Sequence, residues 1–213
     1  MQALERELIL ENWITIILVV SFLLIAVLKS LHSSKLKGYF FAFFNKGFIE
    51  TEAEENDSFF TVFHSTLLLF STSIISLFLY FLLKNSTVNF TANTTSFFII
   101  FLLVFSFLVL KWSLEFLISK LFEVNNQVRY FLFLKYSYLH TISFCLFVLL
   151  IIYVYGYKNY SVVLLPLLFL IFIRVLLLLI NNKKLITSKL FYFILYICAF
   201  EIAPLFILIK SVF

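Results

Sequence analysis

Long, continuous apolar runs constrain the fold of this chain more than any other feature of its sequence. Apolar residues make up 63% of the chain and charged residues only 13%, and the mean hydropathy is +1.10. A soluble domain carries about twice that charged fraction, so the polar residues available here cannot cover a water-exposed surface. The chain is therefore predicted to be an integral membrane protein.

The apolar runs also set the number of membrane spans. A helix needs about 20 apolar residues to cross the hydrocarbon core of a bilayer, and six runs come near that length. They lie at residues 13–28, 59–83, 97–122, 131–155, 161–180 and 190–209. The first is short, and Lys111 and Glu115 interrupt the third, so the count ranges from five to seven. The sequence predicts an all-α, polytopic transmembrane helix bundle of about six spans, in one domain covering residues 1–213.

Lysine and arginine residues in the loops predict the orientation of the bundle. The loops after the first, third and fifth runs hold nine of them, and the opposite side holds four. The nine are Lys29, Lys35, Lys37, Lys46, Lys120, Arg129, Lys183, Lys184 and Lys189, and the four are Arg6, Lys84, Lys158 and Lys210. The positive-inside rule places the first group in the cytoplasm and both termini on the opposite side of the membrane.

The longest predicted cytoplasmic loop carries two patterned segments. Apolar side chains recur at helical spacing from Leu36 to Phe44, and lysines flank them, which is typical of an amphipathic helix. We expect a helix near residues 35–48 that lies in the membrane interface, although an ordinary connector that touches lipid fits the same pattern. The acidic run 50–58 follows, and it is either a solvated linker or a docking surface for a basic partner.

Few ionisable side chains lie within the apolar runs. They are His64, Lys111, Glu115, Lys135, His140, Arg174 and Glu201. In the predicted topology all except Glu201 fall in the cytoplasmic halves of their helices, where inward-pointing side chains would form one polar cluster. Lys111 and Glu115 are spaced to neutralise each other on one helical face. Lys135 lies near a helix end, from which its amine can reach the lipid headgroups.

The stretch from Glu201 to Pro204 is the strongest candidate for a functional site. A carboxylate at membrane depth is costly and faces protein, water or a cation. Pro204 also leaves the carbonyl of Phe200 without its helical donor, so the two groups could hold a proton or a cation. Alternatively, Glu201 forms a structural ion pair with Arg174, or Pro204 only kinks the helix. His140 is either satisfied within a helix interface or relays protons.

The motifs of common enzyme classes are absent from the sequence. Asp57 is the only aspartate, no Gly-x-Ser-x-Gly or histidine-rich zinc motif occurs, and the three histidines fall in different segments. These observations argue against metal-dependent and nucleophilic hydrolases. We therefore expect no catalytic residue, no metal and no cofactor. The expected partners are the lipid bilayer and other membrane proteins, not nucleic acid.

Two segments of the chain resemble a known family. The first run opens with Asn-Trp at 12–13, and the last carries Leu-Tyr-x-Cys-x-x-Glu-x-x-Pro at 195–204, followed by Lys210. In these segments, and in its length and span pattern, the chain resembles an uncharacterised family of Bacteroidota inner-membrane proteins that is described as a domain of unknown function. The resemblance covers almost the whole chain. It implies a bacterial source and the inner membrane, in which both termini would lie in the periplasm, but it supplies no catalytic residue.

Two functional hypotheses follow from the sequence. The first is a non-enzymatic subunit of a bacterial cytoplasmic-membrane complex that serves envelope biogenesis, protein export or motility. The second is a small proton- or ion-coupled transporter that uses Glu201. Purification in mild detergent separates them, because a subunit should retain stoichiometric partners.

Overall fold

Seven helices form the part of the chain that the computed structural model describes, which is residues 12–55, 61–86, 93–121, 126–156, 159 and 161–181. The helices are α1 (Asn12–Leu31), α2 (Ser33–Phe40), α3 (Lys46–Glu55), α4 (Val62–Ser86), α5 (Thr94–Leu121), α6 (Asn126–Tyr155) and α7 (Ser161–Asn181). These residues contain no strand. The prediction of an all-helical fold is confirmed for the described part of the chain.

Four of these helices are long and apolar enough to cross a membrane. The qualifying segments are Asn12–Leu31, Val62–Asn85, Thr94–Glu115 and Tyr130–Tyr155, with 20, 24, 22 and 26 residues. They coincide with the first four predicted runs. A helix satisfies its own backbone hydrogen bonds, as the water-free core of a bilayer requires. These apolar helices are those of a membrane-embedded protein.

The fifth and sixth predicted spans have different outcomes. Helix α7 covers the fifth run, and its apolar part, Val163–Leu178, is shorter than the four segments above. The sixth run, 190–209, lies outside the described residues. A total of six spans therefore stays a prediction.

Helices α4 and α6 form the centre of the bundle. Each has 56% of its apolar window buried, against 22% for α1 and 11% for α5. Helix α4 packs against α1, α5 and α6, and α6 packs against α7. Ser71, Thr72 and Ser76 of α4 are fully buried, and small side chains of this kind let neighbouring helices approach closely. The outer faces of α1, α5 and α7 expose large apolar side chains, as suits helices that face lipid.

The segment after α1 differs from its prediction. Instead of one helix over residues 35–48, the chain forms α2 and α3, separated by a turn at 41–45. Asn45 starts α3, because its side-chain oxygen accepts a hydrogen bond from the Phe48 N–H at 3.2 Å, as an N-cap does. Gly38 approaches Phe48 so closely that a β-carbon there would overlap the ring.

We call residues 33–55, which comprise α2, the turn and α3, the cap. Both of its helices pack against α6 at one end of the bundle. The cap is therefore part of the packed structure in addition to being a connection between α1 and α4. Its position in a membrane interface stays a prediction.

Candidate functional site

Polar side chains from five helices meet at the end of the bundle that carries the cap. They surround a small cavity, which is lined by Tyr39, His64, Leu68, Trp112, Phe133, Tyr136, Ser137 and His140. About 30 Å³ of this cavity is open to the centres of water molecules, which is room for about one or two waters. The contributing helices are α2 and α3 of the cap together with α4, α5 and α6.

Glu52 of α3 is buried on the cap side of this cluster. It is only 3% exposed, and one of its carboxylate oxygens accepts a hydrogen bond from Lys35 Nζ at 2.9 Å. The same oxygen lies 3.7 Å from Nε2 of His64. The Lys35 side chain is 25% exposed, so its ammonium group remains in contact with water. Glu52 therefore lies beside two basic groups, the amine of Lys35 and the imidazole of His64.

Both ring nitrogens of His64 have hydroxyl partners. Thr61 Oγ1 lies 2.5 Å from Nδ1, and the Tyr39 hydroxyl lies 2.8 Å from Nε2. Thr61 is also the N-cap of α4, since its oxygen accepts the His64 backbone N–H at 3.3 Å. A hydroxyl can donate or accept a hydrogen bond. The two contacts are therefore compatible with either neutral tautomer of His64 and with the protonated ring.

Tyr39 stands between the two histidines of the cluster. Its ring packs edge-on against His64 and against His140, with a centroid separation of 5.9 Å in each case. Its backbone carbonyl accepts a hydrogen bond from the Thr141 hydroxyl at 2.8 Å. Burial, and secondarily the negative charge of Glu52, raises the pKa of Tyr39 well above its ordinary value. The phenol is therefore protonated at neutral pH and keeps a hydrogen to donate.

His140 lies deeper in the bundle and is satisfied by a neighbouring helix. It is 6% exposed, and its Nδ1 lies 2.7 Å from the Ser71 hydroxyl of α4. Ser137, one turn before it on α6, instead donates to the Phe133 carbonyl at 2.7 Å. These contacts agree with the hypothesis that the hydrogen bonds of His140 are satisfied within a helix interface. The partner is Ser71 of α4.

A second ion pair joins α5 to α6 on the other side of the cavity. Lys135 Nζ donates to Glu115 Oε1 at 2.6 Å, and the Tyr136 hydroxyl donates to Glu115 Oε2 at 2.8 Å. The two charged side chains are 2% and 0% exposed. The prediction that Lys135 extends to the headgroups is therefore wrong, because a carboxylate from α5 provides a partner within the bundle.

The predicted site residues differ in how the structure places them. His140 and Glu115 belong to the cluster. Lys111, one turn before Glu115, is half-buried with its Nζ 5.8 Å from the centroid of the Phe107 ring. Arg174 is half-buried on α7. The candidates Glu201 and Pro204 lie outside the described residues, so their roles, including the pairing of Glu201 with Arg174, stay hypotheses.

Tyr39 and Glu52 belong to the cluster but were not among the site residues predicted from the sequence. The acidic run is predicted to be solvated or to bind a partner, and for Glu52 that prediction is wrong. Ile49 and Ala53 are 1% and 7% exposed, and Glu52 lies on the same face of α3. Apolar residues spaced four apart around an acidic residue were the available signal for an inward-facing carboxylate.

The chemistry that this arrangement supports is proton exchange. In the described ranges no three His, Cys, Asp or Glu side chains are grouped as a metal ion would require. The cavity is lined by imidazole and phenol groups. Two of these lining residues also contact a carboxylate: His64 lies near Glu52, and Tyr136 donates to Glu115. Groups of this kind pass protons through hydrogen bonds and through water.

The chain belongs to the family described as domain of unknown function (DUF4271), whose model matches residues 14–212. This match confirms the resemblance to an uncharacterised family. No curated protein and no solved structure matches the chain significantly. The family description assigns no activity, so a function has to be argued from the cluster and the cap.

Proposed function

We propose that the protein is a non-enzymatic integral membrane subunit of a bacterial cytoplasmic-membrane complex, with the cap as its docking element. The observation that supports this role is the two-sided character of the cap. Its inner side is fixed to the bundle by buried contacts, and its outer side presents aromatic and charged side chains. The bacterial inner membrane, a source in Bacteroidota and the cytoplasmic position of the cap belong to the same proposal, and they rest on the sequence.

Apolar packing fixes the inner side of the cap. Ala42 and Ile49 are 0% and 1% exposed, and they form one apolar cluster with Phe133, Leu134 and Tyr138 of α6. A segment held in this way presents its outer side chains in a defined arrangement. A partner that binds such a surface loses less affinity to ordering than one that binds a flexible loop.

The outer side of α2 and the following turn suits a membrane interface. Phe40, Phe41 and Phe44 are 45%, 55% and 88% exposed, and Lys37 and Lys46 are exposed close to them in the chain. Aromatic rings enter the acyl boundary, and lysine amines remain at the headgroups. We assign this edge of the cap to lipid, which would hold the cap against the membrane surface.

The acidic edge of the cap is the side that we assign to a protein partner. Glu50 and Thr51 are exposed at the start of the acidic run 50–58. A negative edge at the membrane surface steers and selects a basic partner. Complexes that serve envelope biogenesis, protein export or motility are the classes in which we place this subunit.

Purification of the tagged protein from its native membrane in mild detergent tests the proposal. The wild-type chain should retrieve stoichiometric partners, and Glu50→Lys should lose them because it reverses the charge of the docking edge. Thr95→Lys is the control, since it adds a lysine at an exposed position near the start of α5, at the opposite end of the bundle. A lone monomer in the wild-type preparation would contradict the proposal, and so would equal retention of partners by both variants.

One observation favours a second candidate function, a small proton- or ion-coupled transporter. Two imidazoles and two phenols line a water-sized cavity, and titratable groups inside membrane proteins often mark proton pathways. In this hypothesis Glu201 is the coupling carboxylate. Glu201→Gln should then abolish function while leaving the abundance of the protein unchanged. Loss of the protein itself would instead support a structural pair of Glu201 with Arg174.

A further inference from the structure

The hydrogen bonds around His64 describe a binding site that the docking role does not require. We propose that His64 is a reversible proton-binding site, supplied from the cavity through the Tyr39 hydroxyl and balanced in charge by Glu52. The ligand is a proton carried by cavity water. The inference is independent of whether the cap docks a partner.

The two hydroxyl partners of His64 can accept hydrogen bonds from the protonated ring where they lie. An imidazolium donates from both nitrogens, and each nitrogen of His64 already faces a hydroxyl oxygen, Thr61 at 2.5 Å and Tyr39 at 2.8 Å. The carboxylate of Glu52 lies 3.7 Å from Nε2, a distance at which an opposite charge favours the charged form of an ionisable group. The site thus provides both hydrogen-bond acceptors and a counter-charge.

Titratable and polar groups face His64 from α2, α3, α4 and α6. They are Lys35 and Tyr39 of α2, Glu52 of α3, Thr61 at the start of α4 and His140 of α6. Glu52 is the anion in this set, and Lys35 is the opposing cation. Because Lys35 bonds to the same oxygen of Glu52, protonated His64 and Lys35 share one carboxylate. The partial exposure of Lys35 lets it turn toward water when His64 is charged.

The proton reaches His64 by a balanced two-part transfer. A hydronium ion in the cavity gives its proton to the Tyr39 oxygen, while Tyr39 gives its own hydroxyl proton to Nε2 of His64. One O–H bond of the hydronium and one of Tyr39 break, and a new O–H bond on Tyr39 and an N–H bond on His64 form. The products are water and an imidazolium, and Tyr39 remains a neutral phenol.

His140 has a different environment and stays neutral. In the described part of the chain its ring bonds to the Ser71 hydroxyl rather than to a carboxylate. The ring is also only 6% exposed, and burial disfavours the charged form of an imidazole. The two histidines beside Tyr39 should therefore behave differently in the same titration.

Side-chain ¹⁵N NMR of the histidine-labelled, full-length protein in mild detergent tests this inference. The chain has three histidines, so His32→Gln and His64→Gln assign the signals. Acidification should convert His64 to the doubly protonated ring while His140 keeps the signal of a neutral ring. A neutral His64 at every pH at which the protein remains folded would overturn the proposal, and so would conversion of His140 in its place.

Two variants test whether Glu52 is the counter-charge of His64, and a third tests whether the proton passes through Tyr39. At a fixed acidic pH, Glu52→Gln should lower the ratio of charged to neutral His64 about tenfold or more, and Lys35→Gln should raise it. If Glu52→Gln does not fold, Lys35→Gln decides alone, because an unchanged ratio in that variant overturns the role of Glu52. Tyr39→Phe should slow proton exchange at His64, and an unchanged exchange rate would exclude the Tyr39 route. None of these readouts depends on a protein partner.

Discussion

Two buried carboxylates in the described part of the chain, Glu115 and Glu52, differ in how completely their partners are enclosed. Glu115 bonds to Lys135, whose side chain is 2% exposed, and the pair joins α5 to α6 inside the bundle. Glu52 bonds to Lys35, whose side chain is 25% exposed, and holds the two helices of the cap together. The first contact is enclosed on both sides, and the second is partly exposed through Lys35.

This difference determines what each carboxylate can do. A buried ion pair that loses one partner leaves an uncompensated charge in a medium of low polarity, so the Glu115 pair must persist while the protein is folded. Glu52 has a second basic group, His64, within 3.7 Å, and Lys35 can be hydrated. The net charge of the group formed by Lys35, Glu52 and His64 can therefore change while the bundle stays folded.

The largest expected effect is the loss of Glu115. Glu115→Gln leaves the Lys135 ammonium buried without its counter-charge, and should lower the free energy of unfolding by about 3–5 kcal/mol, measured by denaturation in mild detergent. The double variant Glu115→Leu with Lys135→Met should recover most of that loss. A loss below about 1 kcal/mol in the single variant would show that this pair is not enclosed as described.

Glu52→Gln should have a smaller and more local effect. Lys35 can turn toward water, so we expect a loss of about 2 kcal/mol, the range of a hydrogen bond between charged groups. The local effect should be faster tryptic cleavage at the exposed Lys46, the first residue of α3. Glu50→Gln is the matched control, since Glu50 is exposed, and its cleavage rate should equal that of the wild type. Equal rates in all three proteins would contradict the role of Glu52 in the cap.

Gly38→Ala tests the packing within the cap without changing a charge. Its β-carbon would overlap the Phe48 ring, and overpacking of this kind costs about 1–3 kcal/mol. Gly47→Ala, the control, should be neutral or slightly stabilising, because its β-carbon meets only Asn45 Oδ1 at 3.9 Å. Thermal unfolding of both variants in the same detergent provides the measurement. Equal stability of the two variants would mean that α2 and α3 are not in close contact.

The smallest effect is expected from Tyr39→Phe. The change removes the hydroxyl that bonds His64 and should cost about 1 kcal/mol. Tyr155→Phe serves as the comparison, since its hydrogen bond to Thr15 is exposed, and its unfolding should match that of the wild type. If both variants unfold alike, the Tyr39 bond contributes no more than a surface contact.

Hydrophobic length was sufficient to predict the long helices. The predicted run 59–83 corresponds to α4 at Val62–Ser86, and the run 131–155 to α6 at Asn126–Tyr155. These helices depend on apolar content and local backbone bonding, which the sequence displays directly. Their ends differ by a few residues because caps such as Thr61, rather than apolar residues, set where a helix begins.

The polar contacts could be predicted only in part. Six side chains were predicted to form one cluster if they pointed inward, namely His64, Lys111, Glu115, Lys135, His140 and Arg174. Of these, the structure brings His64, Glu115 and His140 to one cavity or to its walls. The partners were less accessible to sequence analysis, because Lys135 and Glu52 each find an opposite charge on another helix. Pairing of this kind depends on how helices rotate against one another, which apolar periodicity does not specify.

Amide hydrogen exchange of the full-length protein in mild detergent tests most directly the central claim that the cap is a fixed part of the bundle held through Glu52. We predict that α2 and α3 of the wild type are protected as strongly as the first turns of α4. Glu52→Gln should raise exchange in α2 and α3 alone, whereas Glu115→Gln should raise it in α5 and α6. Exchange of wild-type α2 and α3 at the rate of an unfolded peptide would contradict this account.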